Sequence, residues 1–156
     1  MKTFGKKPTA AGWLCLSSLL LALVSFVLYL VNSLGGYFAD GGIDGRVLAF
    51  HLVGLLAFVA FLLLAGKNKW ADTGFYLLIG IFLLLAFGFT ISQRAEPIGD
   101  MLVPVNHPLG EIKAVKVAMT GIVFNGLSFL TLAVASFFAS PVKKEKPTPL
   151  PSVEGK

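Results

Sequence analysis

Four long apolar runs leave this chain few ways to fold. They extend from about Gly12 to Val31, Arg46 to Gly66, Thr73 to Ser92 and Val117 to Phe138. At about 1.5 Å of rise per residue, a helix of such a length crosses the roughly 30 Å hydrocarbon layer of a bilayer. Inside lipid every backbone N–H and C=O needs a partner within the protein, which leaves helices or closed barrels. The runs are continuous rather than alternating, and that selects helices. Composition agrees: 56% of the 156 residues are hydrophobic and 13% charged, against roughly half and a quarter in a soluble domain. The expected fold is an all-α integral membrane protein, one bundle of four transmembrane helices at about 11–33, 46–66, 73–92 and 108–140. Residues 1–8 form a basic arm, and the proline-rich stretch 141–156 is expected to be a disordered tail.

Local signals set the ends of the runs. Thr9 is placed to cap the first helix. That helix is expected to be retained, because its apolar core exceeds the usual signal-peptide length and no Ala-x-Ala site follows. Glycines at 35, 36, 41, 42 and 45 mark a turn-rich connection. Asp40 and Asp44 lie in it without the spacing of a calcium loop. The connection around Lys67 and Lys69 is so short that the second and third helices must be antiparallel neighbours. Pro108 suits the first turn of the fourth helix, with Asn106 or His107 as its cap, and Pro141 stops the helix.

Charge placement gives an orientation. The arm, the Lys67–Lys69 connection and the tail hold nine of the thirteen basic residues on one side. Arg46, Arg94, Lys113 and Lys116 on the other side are balanced by Asp40, Asp44, Glu96, Asp100 and Glu111. The excess of lysine on the inner side then puts both termini in the cytoplasm of a plasma-membrane protein. Net charge of +5 concentrated at the ends fits this reading, and no basic–aromatic pattern points to nucleic acid.

Apolar side chains alone do not hold helices together in lipid, so small and polar residues must. Ser18 with Ala22, Gly80 with Gly88, and Ala114 with Ala118 followed by Gly121 are candidate contact points. Asn125, next to Gly126, is the most polar residue deep in a run, and its expected partners are Ser25 and backbone carbonyls. These residues, Asn125, Gly121, Gly126 and Ser25, form the predicted helix-packing set.

The polar stretch Gln93–Lys116 is where chemistry would sit. It offers no Ser-His-Asp order and no His-Glu-x-x-His motif, and the single cysteine, Cys15, lies inside the first helix. No charged residue is expected deep in a span, which weighs against an ion pump. His51 and His107 are both expected near the outer end, where two imidazoles could hold a haem b with Arg46, Arg94 and Lys113 near its propionates. The leading expectation is a non-enzymatic accessory or scaffold subunit without catalytic residues or metal, surrounded by lipid and packed against a membrane-protein partner or a second copy. The alternatives are a bis-histidine haem electron-transfer protein and a small permease-like transporter.

Overall fold

The computed structural model describes residues 9–65, 68–103 and 107–138. They form four α-helices: α1 (Ala10–Leu34), α2 (Gly45–Leu64), α3 (Lys69–Asp100) and α4 (Leu109–Ser136), with one 3-10 turn, Gly36–Phe38, between α1 and α2. All four are long and apolar enough to cross a membrane. The basic arm and the tail lie outside the described residues, as do Gly66, Lys67 and Asn106.

Side chains cap three of the helix starts, each satisfying an otherwise orphan backbone N–H. Thr9 Oγ1 accepts from the Gly12 N–H at 3.3 Å, Asp44 from Arg46 at 2.8 Å, and Asn68 from Trp70 at 3.1 Å. α4 differs. Pro108 itself occupies the cap position and no side chain bonds there.

The largest departure from the sequence expectation is α3. It runs on through Arg94, Glu96 and Pro97 to Asp100 instead of ending at Ser92. Loss of hydropathy marks where lipid contact ends, not where a helix ends, and Gln93, Arg94, Ala95 and Glu96 are all good helix formers. Pro97 removes only the N–H that would bond the Gln93 carbonyl. Most of the polar stretch is therefore helical, as the end of α3 and the start of α4.

α1 packs along α4, while α3 lies between α4 and α2; the α1 and α2 backbones meet only lightly. Residue size explains this order. The buried face of α1 carries Ala11, Cys15, Ser18, Ala22, Ser25, Tyr29 and Asn32 at alternating steps of four and three. That of α4 carries Ala114, Ala118, Gly121, Asn125, Ser128, Leu132 and Ala135 in the same rhythm. Two stripes of mostly small residues with a seven-residue period let antiparallel backbones approach closely. Ser18 and Ser128 each donate to the other's carbonyl, and Ser25 donates to the Gly121 carbonyl at 2.8 Å. Between α1 and α2, by contrast, aromatic rings hold the backbones apart: Phe26 and Tyr29 of α1 stack on His51 of α2.

The end of the bundle that holds the α1–α2 and α3–α4 connections is called the loop end below. There Phe38 packs on Ala114, Val115 and Ala118, with Ile98 and Met101 against them. Towards the opposite end Phe58, Phe61, Ile79, Leu83 and Leu132 fill the core together with Cys15 and Ala22. Trp13 and Trp70, at the starts of α1 and α3, are exposed at that end. The outer faces are covered by Leu and Val, whereas serine, asparagine, histidine and arginine lie inside. This is the reverse of a water-soluble core.

Candidate functional site: a buried polar cluster at the loop end

Because α3 continues past Ser92, Arg94 is carried into the bundle rather than into a loop. It is only 3% exposed. Its Nη2 donates to Ser33 Oγ at 2.6 Å, and its guanidinium lies 4.0 Å from the centre of the Phe38 ring and 5.8 Å from that of Tyr29. Among the described residues no carboxylate stands within ion-pair distance of it; the two pairs found are Arg46 with Asp44 and His107 with Glu111. The sequence placed Arg94 among the charges of the outer side, beyond the third apolar run; the structure buries it at the loop end, where α3 continues.

The α1–α2 connection is fastened over this residue. Tyr29 donates its hydroxyl proton to Gln93 Oε1 at 3.2 Å and accepts from the Asp44 N–H at 2.8 Å. Gln93 Nε2 reaches the Gly42 carbonyl at 3.5 Å. Gly42, at φ +60°, makes the reversal that brings this carbonyl round. In the same connection, hydrogen bonding to Arg46 holds the Asp44 carboxyl below its ordinary range. The Tyr37 hydroxyl is held above its own by the Glu111 carboxylate beside it.

Beside Arg94 is a cavity of about 10 Å³, lined by Ser25, Tyr29, Asn32, Thr90, Arg94, Val117, Ala118 and Gly121. Asn32 is 6% exposed, and its amide has no hydrogen-bond partner among the described residues. The Thr90 hydroxyl is committed to the Ala86 carbonyl and that of Ser25 to Gly121.

His51 and Asn125 form a second polar contact. His51 Nδ1 lies 2.9 Å from the Val47 carbonyl, which can only accept, so the proton sits on Nδ1. The bare Nε2 then accepts from Asn125 Nδ2 at 3.3 Å. Asn125 Oδ1 is buried without a partner. The expected Asn125–Ser25 contact does not form. Ser25 faces the Gly121 carbonyl instead, because the seven-residue register sets it opposite Gly121 and sets Asn125 one step further along. A Cβ added at Gly121 would lie 3.5 Å from Leu28 Cβ, and one at Gly126 would lie 3.4 Å from the Phe87 ring. Gly121 thus faces α1 and Gly126 faces α3.

The two histidines are not brought together. His107 lies just before α4, with Nδ1 3.4 Å from Glu111 and Nε2 3.4 Å from the Val103 carbonyl. His51 is level with Asn125, which is about 24 Å along the α4 axis from Leu109 at 1.5 Å per residue. The sequence put both at the outer end of the bundle, with matching depth only if the fourth helix began low or the loop before it dipped inward. α4 begins at Leu109, close to its expected start, and His107 stays at that end while His51 lies within α2, level with Asn125.

A larger groove of about 360 Å³ runs between α3 and α4 towards the opposite end. It is lined by Thr73, Tyr76, Leu77, Gly80, Ile81, Leu84, Phe129, Leu132, Ala133 and Ser136. Neither the groove nor the small cavity is lined by a histidine, and no group of three metal-ligating side chains occurs among the described residues.

Arg94 and Asn32 were legible in principle. Ile79, Leu83, Ala86, Thr90 and Arg94 continue one buried stripe of α3, and Asn32 continues the Ala11, Ser18, Ser25 series of α1. No family model, no curated protein and no solved structure matches this chain.

Proposed function

We propose that the protein is an integral membrane protein, with both termini in the cytoplasm, that acts as a non-enzymatic accessory or scaffold subunit. The observation that carries this reading is the α3–α4 groove. It is apolar, large and bordered by Gly80 and Ala133, so the backbone of an incoming helix can come close. A Cβ at Gly80 would meet nothing nearer than the Phe129 ring at 3.7 Å, so packing within this chain does not require glycine there. A partner's transmembrane helix, or that of a second copy, is the occupant this shape suits.

The test is the size of the tagged protein extracted from its own membranes in mild detergent. Wild type should migrate in a complex larger than one chain. Ala133→Trp, which fills the groove, should migrate as a single chain with unchanged helix content. A wild type that is already a single chain, both after cross-linking in the membrane and after extraction, would overturn the reading.

One observation favours a second reading as a small permease-like protein: buried ionisable and amide side chains in a span are a common mark of a solute path, and Arg94, Asn32, His51 and Asn125 are of this kind. The haem b alternative draws nothing from the geometry, since both nitrogens of His51 are engaged by Val47 and Asn125.

A further inference from the structure

Arg94 carries a charge that burial cannot remove, because a guanidinium stays protonated in proteins. A buried charge is costly unless it is paired and hydrogen-bonded. Here one hydroxyl and two ring faces compensate it, and no carboxylate does. The acidic groups near the loop end have other arrangements. Asp44 is bound to Arg46, and Glu111 lies against His107 and Tyr37. Asp40, Glu96 and Asp100 are exposed.

The cavity next to the guanidinium has a matching chemistry. Two side chains that carry N–H donors line it, Arg94 and Asn32, whose amide has no hydrogen-bond partner among the described residues. The hydroxyl protons of Thr90 and Ser25 are committed to helix carbonyls, so these two donors are the ones available. At about 10 Å³ the space is small and suits a compact species. A water would satisfy the Asn32 amide but leave the cation without a counter-charge. A monatomic anion does both.

We propose that Arg94 and Asn32 form a binding site for one halide-sized anion, chloride being the abundant candidate, with the Phe38 ring packed on the guanidinium. The site is separate from the α3–α4 groove, so it does not depend on the docking reading.

The test uses the full chain purified in mild detergent at constant ionic strength, with gluconate replaced stepwise by chloride or bromide. Two quantities are read: the thermal unfolding midpoint and the chlorine-35 NMR line width. Wild type should show a saturable rise in midpoint and excess line broadening that bromide competes away. Arg94→Gln should lose both, and Arg94→Lys should keep a weakened form. Asn32→Leu removes a donor and fills the space without touching the charge; it should also lose the saturable response, and it decides the matter if Arg94→Gln does not fold. The absence of a saturable halide effect in wild type would mean that the cavity holds water only and would overturn the proposal. A halide effect retained in Asn32→Leu or in folded Arg94→Gln would place the anion elsewhere and overturn it equally.

Discussion

Ser18 and Ser128 exchange hydrogen bonds across the α1–α4 seam, each hydroxyl donating to the other's backbone carbonyl at 2.7 and 2.8 Å. The exchange requires two backbones close enough for a one-carbon side chain to span, and the small residues on both sides provide that approach. Interhelical hydrogen bonds in membrane proteins contribute about 0.6 kcal/mol on average and rarely above about 1.7. Ser128→Ala should therefore lower unfolding stability in detergent by about 1 kcal/mol. In a double-mutant cycle, Ser18→Ala and Ser128→Ala should be nearly additive, because each bond ends on a backbone carbonyl that the other replacement leaves in place. Coupling of about 1 kcal/mol would show that the hydroxyl–hydroxyl contact at 3.1 Å carries the interaction instead.

Gly121 gives a steric counterpart. An added methyl meets Leu28 at an ordinary contact distance, so Gly121→Ala should cost less than about 1 kcal/mol. Gly121→Leu has to push α1 away and break the Ser25 hydrogen bond. Its stability should fall by several times as much, measured by the same unfolding titration.

His51 and Asn125 should differ in weight. Asn125→Leu loses one long hydrogen bond and strands no charge, so a loss of about 1 kcal/mol is expected. His51→Ala also removes the ring on which Phe26 and Tyr29 stack and leaves a cavity between α1 and α2. Its cost should reach about 3 kcal/mol, the range of large-to-small core replacements. Equal losses in the two variants would show that the ring contributes only its hydrogen bond.

Among the described residues, the number of long helices, their type and their rough positions were legible because runs long and apolar enough to cross a bilayer follow a simple length and hydropathy rule. Thr9 as the cap of α1 was legible from residue type alone. The extent of α3 was not, since Gln93–Asp100 reads as polar and hydropathy does not report helix continuation into water. The site was only half legible. Gly121 and Asn125 stood out as small or polar residues in apolar runs, but their partners depend on the register between α1 and α4. That register appears in the seven-residue spacing of Ala114, Gly121, Ser128 and Ala135, which pairwise small-residue motifs obscure. Arg94 was misplaced for the same reason as the end of α3.

Asp44 supplies a pH-dependent contribution outside the spans. Its carboxylate caps α2 and binds Arg46, which holds its folded-state pKa below the unfolded value. A depressed carboxyl stabilises the fold fully above the unfolded value, about 3.9. That contribution is lost as the pH falls through the lower folded value. Asp44→Ala should cost about 1 kcal/mol at neutral pH, as loss of a cap does. The difference from wild type should shrink as the pH falls below about 4. A constant difference down to strong acid would rule out ionisation as its source.

The lysine distribution makes the proposed topology testable by reporter fusions. Fusions after Gly66 and Val142 should read cytoplasmic, and fusions near Gly42 and Asp100 external. An external reading at the tail would break the proposed model of four spans with both ends inside.

The pairing of α1 with α4 joins two helices that all of α2 and α3 separates in the chain. Until α4 emerges, Ser18, Ser25 and Asn32 have no partner helix of their own register, and the polar stripe of α1 stays uncovered. A ribosome adds about 5–20 residues per second, so the delay lasts seconds. During that interval the half-made chain exposes a stripe of small and polar residues that α4 covers in the finished fold, and a chain truncated before α4 keeps that stripe uncovered.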